Sequence, residues 1–381
     1  MRGVAAISVM LMHASEYLQR DLLPQASIAV DFFFVLSGFV IAHAYGERAS
    51  MGLAQFMSRR MVRLYPLFLF GLVLGVLVLL VYAGQHLTDY SPSQILLGAA
   101  VNAAYLPFFN DGHIFNNIHD SAHGTIFPAN GPAWSLSFEI AANLFFFSMY
   151  RLGLRGLRWL LLLSYAAIVV TGGAAALAHG RLGLELMGGW ATINFVNGIP
   201  RVFYGFALGV ALYLLAESRL FARLESALAR RDFTMYVLFA ALVLMFAVPT
   251  FGHLNGLYYL IMIAMPVPLL VFAGAAAPCN SLLTLKTARF LGGLSYPLYC
   301  LHYPIMRVVQ LAAGKGNDLF GLPSYAVTSL ISVFVAVIVS RFYDEPLRVW
   351  LTRRLTRARG ELRSGMRWPA PGAAGDAARG D

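Results

Sequence analysis

Apolar runs close to twenty residues long recur along nearly the whole of this sequence, and that pattern decides the class of fold. They lie at about 3–19, 27–46, 61–83, 133–152, 157–178, 194–216, 233–250, 255–276, 290–312 and 323–344. A helix of about 20 apolar residues spans the roughly 30 Å hydrocarbon core of a bilayer. In that core every backbone N–H and C=O must find a partner within the chain, so only helices and closed barrels cross it. Barrel strands alternate apolar and polar residues, and these runs do not. Charge agrees, because 12% of the 381 residues are charged, against about 25% in a soluble domain. The expected fold is an all-α polytopic membrane protein with about ten transmembrane helices.

An eleventh apolar stretch at about 93–109 tests the topology. Arg48, Arg59, Arg60 and Arg63 follow the second run. Arg151, Arg155 and Arg158 lie in one connection, and Arg219, Arg223, Arg230 and Arg231 in another. Arg348, Arg353, Arg354, Arg357 and Arg359 follow the last run. Basic residues collect on the cytoplasmic side, and these regions share a side only if 93–109 does not cross. It is therefore expected as one re-entrant or surface apolar segment, weakened as a span by Asn102 and Pro107. Both termini are then cytoplasmic. The external connections hold Arg20, Arg181 and Lys315, and the longest, 84–132, has no Lys or Arg. The formal net charge of +10 thus reads as a topology signal with no nucleic-acid partner. Residues 1–350 form the membrane domain, and 351–381 form a basic tail expected to be disordered. Cys279 and Cys300 build neither a disulfide framework nor a zinc motif, and no internal repeat points to a transporter.

Several constellations could carry chemistry. Arg2 and His13, eleven residues apart on the first helix, share a face about 16 Å apart. An ionisable group at membrane depth is costly and marks function by default, although a neighbouring helix could simply satisfy the histidine. Arg60 and Arg63 are i, i+3 on one face ahead of Pro66, and two guanidiniums there suit phosphate groups. Positive-inside bias is the plainer alternative. In Gly131-Pro-Ala-Trp-Ser135-Leu-Ser-Phe-Glu139, Ser135 and Glu139 are i, i+4, and a carboxylate inside an apolar run needs a partner. Ser295, Tyr299 and His302 form a polar stripe in a run interrupted by Gly292, Gly293, Pro297 and Pro304. A broken helix is expected there, lining a cavity. Asp31 and Ser37-Gly38 read chiefly as packing. His113, His119 and His123 with Asp111 and Asp120 give weak support for a metal or for a loop shaping an external site.

In order and spacing these stretches resemble the acyltransferase-3 family of integral membrane acyltransferases. The matching elements are Arg-x10-His in the first span, Phe-Phe-x-x-Ser-Gly in the second and Arg-x-x-Arg before the third. Trp-Ser-Leu-Ser-x-Glu, Ser-Tyr-Pro-Leu-Tyr-x-x-His and Asp344-Glu345-Pro346 complete the set. The resemblance covers about residues 1–350. It implies an O-acetylation enzyme of the cell inner membrane. Such an enzyme moves an acyl group, commonly acetyl, from cytoplasmic acyl-coenzyme A to a hydroxyl of an external polysaccharide or glycoside, without a metal. Arg2, Arg60 and Arg63 would bind the donor, acetyl-CoA or another acyl-CoA. His13 would be the principal catalytic residue, as base or as nucleophile. Glu139 would orient a histidine, His302 would face the same cavity, and Ser135, Tyr299 or Ser295 would donate to an oxyanion.

The sequence departs from the family in three places. Family members carry residues, often acidic, ahead of the Arg2 position, which implies a start upstream of Met1. A second acidic residue often follows the Glu139 position, and here it is Ile140. No hydrolase-like domain is fused at the C-terminus, which implies a separate periplasmic partner or action alone. A transporter or flippase of a lipid-linked glycan, or a membrane scaffold, would also use buried polar residues. Neither needs acyl-coenzyme A.

Overall fold

The computed structural model describes residues 1–15, 22–46, 51–114, 124–216, 218–228, 233–277, 281–314, 318–319 and 321–365, with residues 318 and 358–365 described by their backbone alone. Helices dominate. The first four are α1 (Arg2–Ser15), α2 (Ile28–Tyr45), α3 (Leu53–Gly84) and α4 (Pro92–Ala103), followed by α5 (Trp134–Leu144), α6 (Phe146–Ala178) and α7 (Phe195–Leu215). Then come α8 (Arg219–Leu228), α9 (Thr234–Ala247), α10 (Asn255–Ala264), α11 (Pro266–Ala276) and α12 (Leu282–Ala313). A two-stranded antiparallel hairpin, β1 (Asp318–Leu319) with β2 (Leu322–Pro323), precedes α13 (Ser324–Val339) and α14 (Glu345–Gly365).

Among the described residues, six stretches are long and apolar enough to cross a membrane: Ile28–Tyr45, Leu53–Gly84, Phe146–Ala178, Thr192–Leu215, Gly252–Ala276 and Ser324–Arg357. Each of the other expected spans also overlaps a helix. The stretch at 93–109 becomes α4, whose 12 residues reach about 18 Å and fall short of a crossing. Ser91 caps α4 by accepting from the Gln94 backbone, and Pro92 opens its first turn.

Four sequence expectations are corrected. The helix carrying Arg60 and Arg63 starts at Leu53 rather than near 61, so Pro66 is interior to it. The run at 133–152 is two helices meeting at Phe145, where α5 gives way to the first turns of α6. The expected connection after it is kept as a kink inside α6, where Gly153 takes the non-helical φ 58°, ψ −176°, a conformation only glycine adopts without strain. Third, α12 runs unbroken through Pro297 and Pro304. Proline strips the carbonyl four residues back of its helical donor. For Pro304 that carbonyl belongs to Cys300, and Asn130 Nδ2 donates to it at 2.9 Å. Fourth, α14 carries helix to Gly365, well into the tail expected to be disordered. An Asp344–Arg348 ion pair at 2.9 Å and Arg354 stacked 4.5 Å above Trp350 support its first turns.

Two packing groups frame the interior. One is α2 against α7 with α6 behind; the other is α12 flanked by α1, α3 and α13. The α2–α7 crossing is close because glycines face backbone on both sides. A Cβ at Gly38 would strike the Phe206 carbonyl, and one at Gly209 would strike that of Val35. Small residues permit such backbone approach where helix association draws on van der Waals contact rather than on hydrophobic exclusion of water. Helix α1 touches both groups and α5 wedges beside α2, α3 and α7, so the polar residues of these helices converge.

Candidate active site

The convergence begins at Glu139. The 3₁₀ turn Gly131–Ala133 feeds directly into α5, and i, i+4 spacing puts Ser135 and Glu139 on one face. Glu139 Oε1 accepts from Arg60 Nη2 of α3 at 2.6 Å and from Ser37 Oγ of α2 at 2.6 Å. Arg60 is 5% exposed and Glu139 8%, so this is a buried ion pair. Arg2 and Arg63 lie within electrostatic range of the same carboxylate. Arg63 is solvent-exposed and Arg2 half-buried. Three guanidiniums thus surround one carboxylate, an excess of positive charge that attracts anions.

Beside the ion pair is a cavity of about 30 Å³ lined by Arg2, Ser135, Glu139, Ser295 and Tyr299, with Phe33, Phe34 and Tyr296 among its walls. The hydroxyls in it are already engaged. Tyr299 donates to the Pro132 carbonyl at 2.8 Å and lies 2.6 Å from Ser135 Oγ, while Ser295 donates to the Gly292 carbonyl at 2.9 Å. Any of the three must turn to donate to an incoming oxyanion. The Arg2 guanidinium needs no such exchange, because no partner holds it among the described residues.

Tyr299 connects the cavity to a second cluster. Its ring centroid is 6.0 Å from His302 and 5.8 Å from Phe33. His302 Nε2 in turn lies 3.0 Å from His13 Nδ1. The two imidazoles meet edge to edge and nearly coplanar, with centroids 5.2 Å apart at 17°, and Tyr303 packs edge-on to His13 at 5.6 Å. His302 is 1% exposed, whereas His13 is half-buried. The structure therefore brings Arg2, Arg60 and Glu139 together, joins Ser135 and Tyr299, and pairs His13 with His302. The histidine pair does not line the cavity, and Arg63 stands at the margin. Glu139 meets an arginine rather than a histidine, since the buried guanidinium offers a full charge and forked donors.

Sequence reasoning missed a second buried ion pair. Asp31 of α2 accepts from Arg201 of α7 at 3.2 and 2.8 Å and from Tyr259 of α10 at 2.8 Å. The Arg201 guanidinium also lies 5.5 Å from the Trp134 ring. This cross-link ties three helices to the first residue of α5 and so supports the helix that presents Ser135 and Glu139. Arg201 inside an apolar run was the readable signal. No cluster of metal ligands occurs among the described residues. His119, His123 and Asp120 lie outside them, as do Cys279 and the orientation charges Arg20, Arg48, Arg230, Arg231 and Lys315.

The acyltransferase-3 model, described as an acyltransferase domain, matches residues 1–341. This chain belongs to the acyltransferase-3 family. A stretch of this acyltransferase covering 37% of its length is 33% identical to "Protein 2 in picA locus" of Rhizobium radiobacter, over 75% of that protein. Across 91% of its length it is 26% identical to the peptidoglycan O-acetyltransferase OatA of Listeria monocytogenes, over 55% of that protein. It is 25% identical, across the same share, to the O-acetyltransferase OatA of Staphylococcus aureus, over 56% of that protein. The acyltransferase thus spans little more than half the length of the OatA relatives. No solved structure matches it.

Proposed function

We propose that this protein transfers an acyl group, acetyl in the first instance, from acyl-coenzyme A on the cytoplasmic side of an inner membrane to a glycan hydroxyl on the outer side. One observation carries the reading. A small, partly open cavity is lined by Arg2, by Glu139 with its Arg60 ion pair, and by Tyr299, whose ring neighbours the histidine pair. The arginines suit the polyanionic coenzyme. The names of the OatA relatives, one of which specifies peptidoglycan, support O-acetyl transfer to a glycan.

In this mechanism His13 takes the proton of the acceptor hydroxyl as that oxygen bonds to the thioester carbonyl carbon. The C–S bond then breaks, and the leaving thiolate takes the proton back from His13. Arg2, with Ser135 or Tyr299 after reorientation, stabilises the oxyanion. The deciding experiment is purified protein in proteoliposomes with radiolabelled acetyl-coenzyme A outside and a soluble glycan acceptor within. Labelled acceptor is the expected product. Folded protein that neither transfers nor hydrolyses the thioester, yet moves a lipid-linked glycan, would establish the flippase instead.

Two predictions belong to this reading. Arg63 is the exposed member of the arginine cluster, so Arg63→Ala raises the KM for acetyl-coenzyme A about tenfold, the cost of one charge-assisted hydrogen bond, with kcat little changed. An unaltered KM removes Arg63 from the donor site. Ten crossings with both ends cytoplasmic place the start of α4 outside. A cysteine at the exposed Ser93 should react with a membrane-impermeant maleimide on intact spheroplasts. Labelling seen only after lysis overturns the topology.

A further inference from the structure

The bonds around the histidine pair fix which nitrogen of His13 is reactive. His302 Nδ1 lies 2.9 Å from the Leu298 carbonyl, one turn back on α12. A carbonyl oxygen can only accept, so His302 Nδ1 carries a hydrogen. A neutral imidazole with a proton on Nδ1 has a lone pair on Nε2. The His302 ring is buried at 1% exposure, and no carboxylate is bonded to either imidazole among the described residues. A second proton on His302 would therefore be an uncompensated buried charge, which is costly. His302 Nε2 is then an acceptor, and the atom facing it at 3.0 Å, His13 Nδ1, must be the donor. The chain of donation runs from His13 to His302 to the Leu298 carbonyl.

Resting on the proposed role of His13 as base, we infer that His302 is a positioning residue that holds His13 in its Nδ1–H form, leaving His13 Nε2 as the lone-pair nitrogen. Burial separates the two roles. His13 retains accessible surface, while His302 is enclosed and reaches substrate through His13 alone. The in-plane bond to His302 and the edge contact of Tyr303 restrain the His13 ring against the flip that would exchange its nitrogens. During transfer the acceptor proton arrives on His13 Nε2 and leaves from there with the thiolate. The Nδ1 proton stays in the bond to His302, whose lone pair stabilises the transient imidazolium. Carboxylates hold the tautomer of catalytic histidines in hydrolase triads; here a second imidazole, oriented by its own helix backbone, does so.

The test reads the tautomer directly. In wild-type protein labelled with nitrogen-15 at histidine, with signals assigned through His13→Ala, His13 Nδ1 should appear protonated and Nε2 unprotonated. In His302→Leu the acceptor is gone, and the Nε2–H form should become prominent. A protonated Nε2 in the wild type overturns the inference, whatever the enzyme does. Kinetics supply the second measure. His302→Leu should lower kcat at least tenfold while leaving the donor KM within roughly threefold. His302→Gln, whose amide oxygen can accept the same Nδ1–H, should recover most of that loss. Equal activity of the Leu and Gln variants, or a loss confined to KM, overturns the positioning role. If the protein transfers no acyl group at all, the functional reading fails while the tautomer is still decided.

Discussion

Replacing His13 with alanine should lower kcat for acyl transfer by about 10²–10⁴, the usual worth of a general base, while leaving the KM for the donor nearly unchanged. The split follows from the layout. The arginine cluster proposed to bind the donor gathers around Glu139, and neither His13 nor His302 lines the cavity beside it, so truncating the imidazole should remove proton transfer and spare binding. The substitution also strips His302 Nε2 of its partner, and leaving a buried polar group unsatisfied costs about 1–3 kcal/mol. A folding defect could therefore imitate a catalytic one. His13→Asn removes that ambiguity, because its amide N–H sits near the Nδ1 position and can still donate to His302, yet the amide cannot act as a base. Both variants should show the same loss at equal amounts of monodisperse protein. Near-wild-type turnover by either one rules His13 out as the base and shifts attention to the hydroxyls of the cavity.

How much of this was readable beforehand depends on sequence distance. Helical periodicity is local, so the apolar runs, the shared face of Ser135 and Glu139 and the stripe of Ser295, Tyr299 and His302 were all legible. Partners were not. His13 and His302 are 289 residues apart, and Arg60 and Glu139 are 79 apart. A rule stating that a buried carboxylate needs a partner does not say which of several cations supplies it. The expectation that Glu139 serves a histidine came from the chemistry of triads, and the structure gives it Arg60 and Ser37 instead. Backbone continuity was equally hidden. Pro304 reads as a breaker, and the Asn130 amide that answers its freed carbonyl lies 170 residues away. The start of α3 at Leu53 was missed because its first turns are polar, and hydropathy marks where a run becomes apolar rather than where a helix begins. Arg201 was the avoidable miss, since the rule that singled out His13 applies to it unchanged.

The Arg60–Glu139 pair should be the most destabilising single-residue target in the polar interior. Arg60→Ala leaves the Glu139 carboxylate enclosed with Ser37 as its remaining bonded partner, and breaking a buried pair from one side costs about 3–5 kcal/mol. Glu139→Gln keeps the side chain's shape and can still accept from both Ser37 and Arg60, yet it leaves Arg2, Arg60 and Arg63 mutually repelling with no anion among them. Because the cluster holds three cations to one carboxylate, the loss of the anion should cost at least as much as the loss of Arg60, where Arg2 and Arg63 still partly balance Glu139. The double variant Arg60→Met with Glu139→Gln removes both charges and should recover most of the stability, since a buried pair and a neutral packing of similar volume are often comparable. Unfolding in mixed micelles of the wild type, Arg60→Met, Glu139→Gln and the double variant forms a cycle whose coupling term isolates the pair. A coupling near zero means that the two groups do not interact in the folded protein. The donor adds a second readout. An anionic ligand relieves repulsion most where the carboxylate is missing, so acetyl-coenzyme A should raise the melting temperature of Glu139→Gln by more than that of the wild type. An equal rise in both would place the coenzyme phosphates away from this cluster, and the donor site would then have to be sought outside it.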